Sequence, residues 1–284
     1  MKKHLIISSI VSLGIMTACN NTSERNTDAV DLDKKDSASA ATMEPENDAP
    51  ESYERDGLKI YPAPQSIAYE NSSLEMKSPT SDASIQGTKV SFDFDVKDYE
   101  LGIQTADATD KRLANSDKGQ HIHLIIDNGP YSAHYEPDFS MDVEAGHHVA
   151  IAFLSRSYHE SVKNPNSYKV FQFTTGDNGK GDMKKSDLNQ PMLFYSRPKG
   201  EYKGQDAQKV LLDFFLVNAE LKPNGYSVKA TINGKAFEFD TWQPYIVEGM
   251  PMGENTIKLE LVDAKGSLVA GDMTSVSRTF TLTE

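Results

Sequence analysis

Cysteine is nearly missing from this chain: Cys19 is the only one among 284 residues. That excludes disulfides within the chain and any thiolate-rich metal centre, so stability has to come from packing. Basic charge is also short. There are 29 Lys and Arg against 42 Asp and Glu, a formal charge of −13, and −15 once Lys2 and Lys3 are removed. Such a chain is repelled by phosphates, which excludes nucleic acid as a partner. The one long apolar run, Leu5 to Met16, falls short of the roughly 20 residues a spanning helix needs. The nucleophile elbow, the HExxH pair and the phosphate loop are absent as well, so the expectation is not an enzyme.

What the beginning does hold is two lysines, the apolar run, and Met16-Thr17-Ala18 before Cys19. That order reads as a secretory signal over 1–19 ending in a lipobox. Cys19 is then the lipidation site, and acyl chains on it attach the protein to a membrane. The expected location is the cell envelope, at the outer membrane. Residues 20–57 follow with 11 acidic and 4 basic residues and hardly any large apolar side chain. They cannot bury enough surface to offset chain entropy and read as a disordered acidic tether.

After Leu58 apolar and polar residues alternate, with Gly, Asn and Pro between the runs, which marks short strands. Val90, Phe92, Phe94 and Val96 share one face of such a strand. The chain also repeats itself. Lys89-Val90 with Asp93-Phe94 returns as Lys209-Val210 with Asp213-Phe214, and Glu100-Leu101 returns as Glu220-Leu221. Ser78-Pro79 and Arg197-Pro198 mark the same turn upstream. Downstream, Asn128-Gly129 aligns with Asn233-Gly234 at an offset of 105, because the first copy carries an excursion from Thr105 to Gly119. Two copies of this size predict an all-β fold of tandem immunoglobulin-like sandwiches at 58–175 and 191–284, joined by a linker at 176–190.

The second copy serves as an internal control. The six histidines after the signal (His121, His123, His134, His147, His148 and His159) all lie in copy one, and no equivalent in copy two is histidine. With the Asn-Gly turns aligned, His121, His123, Ile125 and Asp127 fall on the inner face of one strand. His148, Ala150, Ala152 and Leu154 fall on the inner face of its neighbour. This arrangement offers His121, His123 and His148 as candidate ligands for zinc or copper, with Asp127 behind them. A buried hydrogen-bonded network of the same imidazoles is the alternative. The opposite face, with Ile122, Leu124, Ile126, Val149, Ile151 and Phe153, is apolar enough to require a cover. Residues 58–75, the excursion, copy two and a partner are all candidates.

Two segments suggest a ligand site at the end of a sandwich. One is the loop with Arg156, Tyr158, His159 and Glu160; the other is the basic-aromatic stretch with Arg197 and Lys199. Their cations suit an anionic group. An envelope protein, a glycan or a small anion is the partner these features suggest.

The segments GQHIHLIIDN (119–128), FLSRSYHES (153–161) and MLFYSRPKGEY (192–202) together resemble a group of Bacteroidota, mainly flavobacterial, lipoproteins of unknown function. The resemblance implies an envelope lipoprotein and assigns no active residue. Members often carry a phosphopeptide-binding label. Here, however, Asn128-Gly129 precedes the Ser155–His159 loop, the reverse of the order a forkhead-associated domain requires. The reading is a lipid-anchored binding or scaffolding protein, with metal binding as the second possibility.

Overall fold

The computed structural model describes residues 52–176 and 185–284. The signal and Cys19, the tether up to residue 51, and residues 177–184 of the expected linker lie outside the described residues. The fold is all-β, as the alternation predicts. Two strands come first, β1 (Tyr53–Arg55) and β2 (Leu58–Pro62). Copy one then contributes β3 (Ser73–Ser78), β4 (Ala83–Ile85), β5 (Lys89–Lys97), β6 (His121–Ile126), β7 (Ser132–His134), β8 (Asp138–Asp142), β9 (Gly146–Ser155) and β10 (Tyr168–Thr175). Copy two contributes β11 (Met192–Arg197), β12 (Gly200–Lys203), β13 (Val210–Val217), β14 (Ser227–Ile232), β15 (Lys235–Phe239), β16 (Tyr245–Glu248), β17 (Gly253–Val262) and β18 (Ser275–Thr283). The excursion adds a one-turn helix, α1 (Ala108–Lys111).

The two copies share one wiring. Copy one forms sheets β3-β5-β8 and β4-β10-β9-β6-β7; copy two forms β11-β13-β16 and β12-β18-β17-β14-β15 in the same order. Even the irregularities recur. Each copy begins with a register shift in its first strand, at Met76/Ser78 and Tyr195/Arg197, next to a cis peptide bond at Ser78-Pro79 and Arg197-Pro198. Each pairs its second strand in parallel with its last.

The sandwiches stack face to face. Val90, Phe92, Phe94, Ile122, Leu124, Ala152 and Leu154 form the interior of copy one. Phe214, Val228, Ala230, Leu259 and Phe280 belong to that of copy two. Between them lies a third apolar layer, with Ile125, Val149, Ile151 and Phe153 on one side and Met192, Phe194, Phe215 and Val217 on the other. Copy two therefore covers the β9 half of the apolar face, Val149, Ile151 and Phe153, whereas Ile122, Leu124 and Ile126 of β6 turn into the interior of copy one and need no outside cover. Strands β9 and β13 are buried on both faces, which explains their nearly unbroken apolar sequences.

Two boundaries shift from those expected. Residues 53–55, placed in the tether, form β1, and 58–62, placed in the first sandwich, form β2. Both extend the β11-β13-β16 sheet of copy two, with Ile60 opposite Val247. Leu58 and Ile60 are buried in that copy's interior, and their burial outweighs the pull of a neighbouring sequence.

The alignment of the turns also needs correction. The left-handed pair that turns β14 into β15 is Asn233-Gly234, and its counterpart is Asp127-Asn128, not Asn128-Gly129. In both copies the first turn residue bonds the same backbone position. Asp127 Oδ1 accepts from Val149 N at 2.8 Å, and Asn233 Oδ1 accepts from Thr256 N at 2.9 Å. The true offset across β6 is thus one residue larger, and a slip of one moves every side chain to the opposite face. Val228 corresponds to Ile122, and His123 corresponds to the exposed Lys229.

Candidate functional site

His121 and His123 do share a face of β6, but it is the face turned toward copy two. Both are fully buried. Their Nε2 atoms lie 2.8 Å apart. His148 points to the other face of the sheet, against Phe173, and does not join them. Its Nδ1 is 2.6 Å from Asp127 Oδ2 and its Nε2 is 2.8 Å from the carbonyl of Glu144. In copy two Asn255 takes this position and bonds Asn233 and the carbonyl of Pro251. The His148–Asp127 pair is therefore part of the framework, an ion-pair form of a clasp that copy two makes with two amides. Asp127 raises the His148 pKa by accepting from the charged ring.

The third member of the histidine group is His159, which the sequence placed in a ligand loop. Its Nδ1 is 3.2 Å from His121 Nε2, and the three ligand nitrogens lie within 4.8 Å of one another. His159 has φ +67°, and its counterpart, Gly266, has φ +74°. Both close the same turn, through His159 N to Arg156 O and Gly266 N to Asp263 O. A non-glycine residue in this region carries a conformational cost. Copy one bears that cost and thereby delivers an imidazole to the group.

The surroundings come from both copies. The Tyr131 ring stacks on His123 at 3.7 Å between centroids, and Tyr135 packs beside His121 at 5.1 Å. Ser196 Oγ of β11 is 3.3 Å from His123 Nδ1. His121 Nδ1 donates to the carbonyl of Gly119 at 2.8 Å, which leaves Nε2 as the acceptor facing the other two rings. Arg197 Nη1 donates to the Tyr131 hydroxyl at 2.9 Å, and Lys199 Nζ to the Tyr131 carbonyl at 2.6 Å. Burial disfavours the charged imidazole first, and the neighbouring rings and cations add to it. His121 is lowered to about 4, and His123 and His159 are held well below 6.5. All three are neutral at physiological pH, the state in which imidazole binds a metal. Tyr131 is pushed up to about 12 by burial and stays a phenol. The sequence did not single out Tyr131, Tyr135 or Ser196.

The other predicted ligand residues have structural partners. Arg156 and Glu160 form a buried ion pair at 3.1 Å, and Arg156 also donates to the carbonyls of Ser161 and Ile67. Tyr158 is fully buried among Leu113, Leu211 and Ile246, with its hydroxyl on Asp107. The loop expected at a free sandwich end is covered by the excursion and copy two, so its charges are held inside. Arg197 is buried as well, while Lys199 reaches the surface.

A separate open cleft of about 760 Å³ lies between the excursion and the Gly204–Ala207 turn of copy two. Gln104, Thr109, Arg112, Asn115, Gln205 and Lys209 are on its walls.

No family model matches the chain, and no curated protein matches it. Among solved structures, it is similar to the fibronectin(III)-like modules of Clostridium thermocellum CbhA, with 10% identity and a TM-score of 0.24, covering 74% of this chain and 92% of that one. It is similar to a Bacteroides ovatus mixed-linkage glucan utilization locus protein, SGBP-B, in complex with a mixed-linkage heptasaccharide. There the identity is 8% and the TM-score 0.22, over 75% of this chain and 71% of that one. A segment of two fibronectin type-III domains from chicken tenascin gives 11% identity and a TM-score of 0.20, over 74% and 98%.

Proposed function

We propose that this chain is a lipid-anchored envelope protein that binds a ligand without transforming it, its two sandwiches forming a stiff head on an acidic tether. The observation that carries the binding role is the polar cleft. It is made where copy one departs from copy two, by the excursion, and copy two supplies its opposite wall. An insertion that builds a concave surface on a duplicated frame is where loop function concentrates. Amides and hydroxyls dominate the walls, and Asp206 offsets one of the two cations, Arg112 and Lys209. That lining suits a neutral polyhydroxylated ligand, so a glycan ranks above a small anion or an envelope protein.

The test is a panel of neutral oligosaccharides titrated against the full chain and a Thr109→Trp variant. Thr109 is exposed on the cleft wall, and an indole there fills space without touching the interior. Binding by the wild type and at least tenfold weaker binding by the variant is the expected result. Equal binding by both would remove the cleft from consideration. The anchor rests on the lipobox: Cys19→Ser should leave the protein uncleaved or released from membranes, read by fractionation. A variant that matures and fractionates like the wild type would end the lipoprotein reading.

A further inference from the structure

We infer that His121, His123 and His159 form a binding site for a single zinc or copper ion at the junction of the two sandwiches. The site is independent of the polar cleft. Three ring nitrogens able to ligate converge, those of His121, His123 and His159. Two of the separations are 2.8 and 3.2 Å. Imidazoles bound at about 2.0–2.1 Å on a tetrahedral ion have nitrogens roughly 3.3 Å apart, so these two pairs are near the required spacing, and ring rotation brings in the remaining pair, which lies within 4.8 Å.

The supporting shell suits an ion. A ligating histidine commonly donates its other N–H to a carbonyl or hydroxyl, which fixes the ring and its tautomer. His121 Nδ1 donates to Gly119 O, and His123 Nδ1 has Ser196 Oγ within reach. Without an ion, the 2.8 Å contact between the two Nε2 atoms needs a proton on His123. A metal takes the place of that proton, and Ser196 then accepts from Nδ1–H instead of donating to it. Burial already holds all three rings neutral, so no imidazolium has to be discharged.

Copy two shows that the fold does not need these groups. Its counterparts of His121, His123 and His159 are Ser227, Lys229 and Gly266. His159 is the most telling, since a left-handed turn position that glycine fills in one copy carries a metal-binding side chain in the other. His159 is also the partly exposed member and gives the ion its way in. Imidazole selects zinc and copper among common ions. Arg197 and Lys199 lie beside the group, and their positive charge disfavours a second unit of charge on the ion. Monovalent copper therefore ranks ahead of zinc.

The experiment titrates zinc and, under reducing conditions, copper(I) into metal-free full-length protein, with bound metal counted by elemental analysis. The wild type should take up one equivalent of at least one of these ions. His159→Gly should lose at least tenfold in affinity while melting no lower than the wild type, since glycine suits φ +67°. His148→Asn, which copies Asn255, should bind like the wild type. Because His159→Gly relieves the backbone, a loss of binding in it cannot be put down to misfolding. Failure of the wild type to bind either ion stoichiometrically, or undiminished binding by His159→Gly, would overturn the site.

Discussion

At the scale of single residues, the junction holds charges as well as apolar groups. Asp213 of β13 is fully buried, accepts from Ser161 N at 3.1 Å and pairs with Lys163 Nζ. Its counterpart Asp93 lies on an exposed face, near Lys77. The same carboxylate is a surface group in one copy and a buried clasp in the other. Removing one partner of a buried pair strands the other charge and typically costs about 3–5 kcal/mol. Lys163→Ala should therefore destabilise by about that much, and Asp93→Ala by well under 1 kcal/mol, as read from urea unfolding. Similar losses from both would contradict the clasp.

The imidazoles give a second residue-scale expectation. His121 and His134 are each lowered by burial from 6.5 to about 4, and burial holds His123 and His159 well below 6.5. Protons then bind the unfolded chain more readily than the folded one, so stability is fully present above about 6.5 and is lost as pH falls toward 4. His148 works in the opposite sense. Its pKa is raised by Asp127, so its contribution is present below 6.5 and fades as pH rises through the raised value. Four lowered groups outweigh one raised group. The urea midpoint of the metal-free protein should fall steeply between about pH 6.5 and 4, and a flat midpoint over that window would refute the burial of these rings.

At the scale of elements, strand positions and most strand faces were legible, and the faces of β6 were not. The duplication was visible because turn residues and core positions recur in the same order in both copies. The faces of β9 were read correctly, but those of β6 were reversed, because that strand is buried on both sides and alternation could not reveal a slip of one residue in the turn. The Asn-Gly match was a poor anchor for the alignment. Asn, Asp and Gly all tolerate left-handed backbone, and Asp127-Asn128 makes the same turn as Asn233-Gly234. His121 and His123 were legible by contrast with copy two. His159 had a signal too, its glycine counterpart, which sequence alone could not connect to a positive φ. The same turn latches the copies: Asn128 Nδ2 donates to Leu193 O at 2.7 Å, and Tyr195 N donates to Asn128 Oδ1 at 2.9 Å. Asn128→Gly suits the backbone but loses both bonds, at about 1 kcal/mol each. It should destabilise by about 1–2 kcal/mol, measured by chemical denaturation, and a stabilised variant would show that the latch contributes nothing.

At the scale of the whole molecule, the copies should not behave as independent beads. Phe153 stacks on Phe215 at 5.0 Å, and Phe215 meets Trp242 edge-on at 5.1 Å. Separating the copies would bare this layer to water. Calorimetry should accordingly show a single transition, with the calorimetric and van't Hoff enthalpies in agreement. Phe215→Ala should cost about 3–5 kcal/mol and lower that one transition. Two resolved transitions would mean the junction is weaker than its packing implies.

The pairing of β2 with β16 also fixes an order in time. Ile60 meets Val247, so the strands synthesised first cannot pair until nearly all of the chain has emerged. As the chain emerges from its N-terminal side, this hairpin stays without its sheet partner while copy one, already complete, assembles beside it. Closing so long a loop is slow relative to local pairing. Until it closes, β16 presents a bare strand edge, open to the same hairpin of a neighbouring molecule. The arrival of β1 and β2 thus both finishes the sheet and ends the chance of exchange between chains.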